Sequence, residues 1–178
     1  ELQYLWEKEV GDLNDAEIAK AQSLLKAHEM KVSCISRHNF AGMLVGDTEV
    51  GDGNYNRHMD GLQRCIDMAL ELDTNVVRIM SFRREMILFG SMGADHWVTS
   101  TGAWDKLLKL LELPVKLAEE KNINLVLETG NNAMVPSAWL GKKLINDIGS
   151  DRLRILWDPA NSLYANEPTY PDGWEALK

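Results

Sequence analysis

The chain predicts an α/β fold, a TIM-type (β/α)8 barrel that is incomplete over these 178 residues, and three observations carry that expectation. Strand-like and helix-like segments alternate from end to end, as in a series of βα units. Two apolar runs close on carboxylates, Ile-Asn-Leu-Val-Leu-Glu128 and Leu-Arg-Ile-Leu-Trp-Asp158, each releasing the chain into a loop where parallel barrels carry their chemistry. The competing doubly wound sheet loses ground because the first βα turn has no GxGxxG and no GxxxxGK[ST] occurs anywhere. A full barrel takes about 250 residues. Five strand signals are therefore expected to form one truncated domain over 1–178, about strands two to six with their helices.

Taken in order, residues 1–5 read as the tail of a strand, and Asn14 with Glu17 resembles an N-cap and its box partner. The helix that follows carries Ile18, Ala21, Leu24 and Leu25 on one stripe. A short strand is expected at 31–36, then a helix with Leu62, Ile66, Ala69 and Leu70, then a strand at 76–82. The third helix, about 104–121, places Leu107, Leu108, Leu111, Val115 and Ala118 on one face. Pro114 should kink it, since proline removes a backbone hydrogen bond and crowds the preceding turn. After the strand ending at Glu128, a helix at about 137–148 should bury Trp139, Leu140, Leu144 and Ile148, with Gly149 as its left-handed stop. The last strand ends at Asp158, and a new helix begins at Trp174. The strand ends His38, Phe82, Glu128 and Asp158 are 44, 46 and 30 residues apart, about one βα unit each with variable loops. Both ends of the chain read as cut.

With 45% hydrophobic and 26% charged residues the chain has the composition of a globular protein, which argues against disorder. A formal charge of -8 argues against nucleic acid or an anionic membrane as partner. No apolar stretch approaches the roughly 20 residues of a membrane span, and the first residues lack signal-peptide order, so a cytoplasmic location is expected. Cys34 and Cys65 have no CxxC spacing and read as two buried free thiols.

Strand alternation puts Glu128 on one face with Val126 and Asn124, and Asp158 with Leu156 and Arg154. The opposite sets, Leu125 with Leu127 and Leu153 with Ile155 and Trp157, are apolar, as expected beneath a ring of helices. Both carboxylates should therefore point into the barrel. Buried there without a cation they cost several kcal/mol or take up a proton, and a divalent ion between them removes that penalty. In the alternative, Glu128 pairs with an arginine and Asp158 caps a turn through Asp-Pro.

The stretch Leu127-Glu128-Thr129, followed by Trp157-Asp158-Pro159-Ala160-Asn161, Glu167-Pro168 and Tyr170-Pro171-Asp172-Gly173-Trp174, resembles the sugar phosphate isomerase/epimerase group, the xylose-isomerase-like TIM barrels. The resemblance covers essentially the whole chain. It implies a divalent metal held by Glu, Asp, His and Glu from four successive strands, with Glu128 and Asp158 matching the first two and the others expected beyond Lys178. It implies Mn²⁺ or Mg²⁺, with Co²⁺ or Zn²⁺ as alternatives, and proton abstraction next to a carbonyl through an ene-diolate with Glu128 as acid-base group. Asn161 stands where several relatives have a His beside metal or substrate, and an amide suits a sugar hydroxyl better than a metal. A dehydratase of the inosose or dehydroshikimate type is the alternative outcome, since abstraction next to a carbonyl can end in loss of hydroxide. A non-catalytic sugar-binding barrel is a third reading, opposed by retention of both carboxylates. Endonuclease IV-type repair is opposed by a chain with only His28, His38, His58 and His96.

The partner implied is a sugar or sugar phosphate, and the barrel is compatible with a homo-oligomer. His38, where a barrel loop starts, is a candidate for a sugar hydroxyl, with a hydrogen-bonded structural role as the alternative. Arg78, Arg83 and Arg84 cluster around one strand end, as a phosphate or carboxylate clamp or in salt bridges to neighbours such as Glu85. Trp6, Trp97 and Trp104 either stack on a sugar or pack against helices.

Overall fold

The computed structural model describes residues 1–84 and 102–178. The chain opens on a hairpin, β1 (Tyr4–Leu5) and β2 (Lys8–Glu9), whose turn residues Trp6 and Glu7 have φ of 49° and 66°. Two left-handed residues are what a two-residue turn needs to follow strand twist. Just before it, Leu2 bridges Ile35 in parallel, donating to the Cys34 carbonyl at 2.9 Å and accepting from the Ser36 N–H at 2.8 Å. The expected strand tail is thus a single parallel bridge that turns at once into a hairpin.

The remaining elements are α1 (Asp15–Ala27), β3 (Ile35–Ser36), α2 (Gly53–Glu71), β4 (Val76–Met80), α3 (Ala103–Glu120), β5 (Asn124–Glu128), α4 (Ala138–Ile148) and β6 (Leu153–Leu156). A short α5 (Pro159–Tyr164), an irregular turn at Thr169–Gly173 and α6 (Trp174–Leu177) follow. Strands β3, β4, β5 and β6 pair in parallel and in sequence order. That order never reverses, as it would at the switch point of a doubly wound sheet. The fold is α/β, a barrel that is partial in this chain.

On the helix side, Val77, Ile79, Leu125, Leu127 and Leu153 are fully buried, each worth roughly 1.5–3 kcal/mol relative to exposure. The other face of β4, β5 and β6 carries Arg78, Val126, Glu128 and Arg154, with Arg78, Val126 and Arg154 in register. Cys34 and Cys65 are buried free thiols, and burial pushes Cys65 up to about 12. Among the described residues no helix is long and apolar enough to cross a membrane.

Local signals are read closely by the structure. Asn14 and Glu17 form the reciprocal capping box of α1, and Gly149, at φ 69°, ends α4. Three stripe residues are corrected, because Leu24, Leu70 and Trp139 are 47%, 52% and 38% exposed. Each lies at the rim of its stripe, where a turn of about 100° per residue carries the side chain past the interface. The strand expected at 31–36 shrinks to Ile35–Ser36, and that at 76–82 stops at Met80. Helix α3 runs through Pro114 as one element. The Leu110 carbonyl, which a residue other than proline at 114 would satisfy, instead accepts from the Tyr55 hydroxyl at 2.8 Å.

Candidate active site

Glu128 is the last residue of β5, and strand alternation turns its side chain away from the helices. Its Oε2 accepts from Arg78 Nη1 at 2.6 Å, a charge-assisted bond between neighbouring strands. Arg78 is nearly enclosed, its side chain 8% exposed against 24% for Glu128, and Glu1 lies 3.8 Å from the same Nη1. Glu128 Oε1 accepts no hydrogen bond among the described residues. The arginine partner is the one that the alternative reading of Glu128 expected. Cys34, just before the edge strand β3, is a thiol that burial holds above its ordinary range.

The second carboxylate sits beyond its strand rather than on it. Strand β6 ends at Leu156, opposite Glu128, and Asp158 is the N-cap of α5, its Oδ1 accepting from the Ala160 N–H at 2.9 Å. Pro159 at the first helical position sets the backbone for that cap. Asp158 Oδ2 accepts from Asn161 Nδ2 at 2.8 Å, and the same amide donates to the Thr129 carbonyl at 2.8 Å. Asn161 Oδ1 in turn accepts from the Asn131 N–H at 3.1 Å, and the Asp158 N–H donates to Thr129 Oγ1 at 2.9 Å. Thr129 and Asn161 thus clasp the end of β5 to the start of α5. Sequence reasoning took Asn161 as a substrate contact and missed Thr129, whose position directly after Glu128 was the available signal.

His38 bonds to Glu9 Oε1 through Nδ1 at 2.9 Å and to Gln3 Nε2 through Nε2 at 3.0 Å, while its own N–H donates to the same Glu9 oxygen at 2.8 Å. The Arg83 side chain is exposed, and its backbone bridges Leu44 and Ala133. Arg84 is buried and donates to the Asn131 carbonyl at 2.5 Å. Trp104 is buried and donates to Asp147 at 2.7 Å, Trp6 stacks under Lys20, and Trp97 and Glu85 lie outside the described residues. Glu167, from the Glu-Pro pair, caps α4 by accepting from the Ala138 and Trp139 N–H groups at 2.8 Å each.

These side chains do not by themselves fit a divalent ion. Among the described residues no three His, Cys, Asp or Glu side chains converge. Glu128 and Asp158 supply two carboxylates, each already accepting from a protein donor.

Four parallel strands paired in sequence order, with helices between them, place the chain in the class of parallel α/β barrels. It matches the model of the Xylose isomerase-like TIM barrel family over residues 3–176 and belongs to that family. No curated protein matches it in sequence. Among solved structures it is similar to the probable 3-DHS dehydratase AsbF from Bacillus anthracis, with TM-score 0.66 and 14% identity over 92% of this chain and 53% of that one. It is also similar to the 3-keto-D-glucoside 4-epimerase YcjR from E. coli, with TM-score 0.61 and 14% identity over 91% of this chain and 59% of that one. A xylose isomerase-like TIM barrel protein from Mycobacterium smegmatis, in complex with magnesium, gives TM-score 0.62 and 16% identity over 93% of this chain and 53% of that one. The chain spans between half and three-fifths of the length of these three, and the likeness is one of fold.

Proposed function

We propose that the protein acts in the isomerisation or epimerisation of a sugar or sugar phosphate, with Glu128 as the group that moves the proton. The observation that carries this reading is the position of Glu128. It stands at the carboxyl end of β5 on the inner face, with one oxygen anchored by Arg78 and the other accepting nothing among the described residues. The free oxygen takes the proton from the carbon beside a carbonyl, and the electron pair left on that carbon delocalises onto the carbonyl oxygen as an ene-diolate. Delivery of a proton to the opposite face, which takes a second acid on that side, gives the epimer, and return of the proton from Glu128 to the neighbouring carbon gives the isomer. Glu128 and Asp158 are the side chains toward which a divalent ion, Mn²⁺ or Mg²⁺, would be drawn in the complete site. Asn161 then holds Asp158, and His38 and Arg83 stand as more distant sugar contacts.

A dehydratase is the second reading, favoured by the TM-score of 0.66 to a probable dehydratase of this fold. The test is exchange of the ketose α-proton in D2O, followed by NMR on ketohexoses and their phosphates. Glu128→Gln should slow exchange by 10² or more, the usual scale for losing an acid-base group. The fold should remain, because the amide oxygen still accepts from Arg78. Near-normal exchange by the purified variant would show Glu128 to be structural. Loss of water from the substrate, rather than a new epimer, would select the dehydratase.

A further inference from the structure

Every polar group of Thr129 is bonded to the stretch of chain that carries Asp158. Its N–H donates to the Leu156 carbonyl at 3.2 Å, and its carbonyl accepts from Asn161 Nδ2 at 2.8 Å. Its hydroxyl accepts from the Asp158 N–H at 2.9 Å and donates to the Asp158 carbonyl at 3.5 Å. The pairing of β5 with β6 ends at Glu128 and Leu156, so Asp158 lies two residues past the last registered pair. There the ladder no longer dictates the path of the backbone. What holds the aspartate in place is a hydroxyl on the residue covalently next to Glu128, together with the Asn161 amide on its carboxylate. Thr129 is fully buried and cannot reach a substrate, and its branched Cβ leaves little freedom about χ1. The tie therefore runs from one acidic residue's neighbour to the backbone of the other. A shift of about 1 Å in it moves one carboxylate relative to the other, and misplacement on that scale can cost about 10² in rate.

We propose that Thr129 is a positioning residue of the reaction, setting through the Asp158 backbone where that aspartate stands relative to Glu128. The inference rests on the proposed function and adds to it a residue that never meets the substrate. The hydroxyl is the group that acts. Serine keeps it, whereas valine has the shape of threonine and leaves the Asp158 N–H without its acceptor.

Exchange of the ketose α-proton in D2O is measured for Thr129→Val, Thr129→Ser, Asp158→Asn and the combination of Thr129→Val with Asp158→Asn. Thr129→Val should lower kcat about tenfold while KM changes less than about twofold, and Thr129→Ser should restore most of the loss. Asp158→Asn should slow exchange as well. Adding Thr129→Val to it should bring no further loss, because the threonine acts only through that carboxylate. A merely structural role would give the same fractional loss in both backgrounds and would overturn the inference. Protection of the Asp158 N–H from hydrogen exchange, followed by ¹⁵N NMR, should fall in Thr129→Val and return in Thr129→Ser; unchanged protection would mean that the hydroxyl does not hold the aspartate. Should Thr129→Val yield too little folded protein, Asn161→Ala removes the other half of the tie at a half-buried position. Its smaller loss of kcat should likewise vanish in the Asp158→Asn background. Parent-like kcat in Thr129→Val, beside a Glu128→Gln variant slowed by about 10² or more, overturns the positioning role alone. Parent-like exchange in Glu128→Gln defeats the proton-transfer reading and this inference with it.

Discussion

At the scale of single residues, the partners of one ion pair are unequally placed. Glu128 still reaches solvent, whereas Arg78 is nearly enclosed with part of its guanidinium unmatched. Glu128→Leu strands a buried cation and should cost about 3 kcal/mol, the scale for breaking a buried pair. Arg78→Met removes the unmatched donors along with the charge and should cost less than about 1 kcal/mol. Urea unfolding of the two variants checks the order, and equal losses would mean that the pair is uniformly screened. His58 gives the expected pH dependence. Its Nδ1 accepts from the Phe40 N–H at 2.9 Å, and burial, then the nearby Arg37 and Arg57, hold it below the ordinary histidine value of 6.5, against a smaller opposing pull from Glu9. The folded state thus resists a proton that the unfolded chain accepts. This contribution is complete above about 6.5 and is lost as pH falls from there toward the lowered folded value. His58→Gln keeps an acceptor without a titration, so its unfolding midpoint should vary less between pH 7 and 5 than that of the parent.

Elements are held by contacts between distant parts of the chain. Pro114 leaves the Leu110 carbonyl without its helical donor, and the Tyr55 hydroxyl of α2 takes that place in a site buried enough to push the phenol up to about 12. Tyr55→Phe should therefore cost about 1–3 kcal/mol, the penalty of a stranded buried acceptor. In a Pro114→Ala background, where residue 114 donates normally, the same change should cost less. A double-mutant cycle measured by chemical denaturation reads the coupling, and strict additivity would separate the two residues. Such pairs mark the limit of what was legible in the sequence. The capping box of Asn14 and Glu17 and the stop at Gly149 were legible because all the atoms involved lie within one turn. So was the apolar side of β5, since alternation is a local rule. The choice of Tyr55 for a carbonyl 55 residues away is set by how α2 and α3 pack, and no periodicity records it. The site divides in the same way, with Glu128 and Asp158 visible as endings of apolar runs. The Arg78 pairing depends on strand register, and the helix-capping place of Asp158 depends on where β6 stops.

On the scale of the whole molecule, no strand pairs with the outer side of β6 among the described residues, Leu156 there is 37% exposed, and exposed apolar side chains continue through Leu163, Tyr164 and Trp174. Open parallel edges promote association. The 178 residues expressed alone should sediment with a concentration-dependent mass and bind Mn²⁺ without tight stoichiometry, because two carboxylates fall short of a ligand set. Ultracentrifugation and calorimetric titration test the two statements, and a monomer with tight one-to-one binding would contradict both. The clasp of Asn161 bears on which loops of such a barrel tolerate exchange. One amide side chain touches Thr129, Asn131 and Asp158, so the end of β5 and the start of α5 are held as one unit. A loop outside that unit can be lengthened, shortened or replaced without breaking the bonds that place Asp158 beside the end of β5.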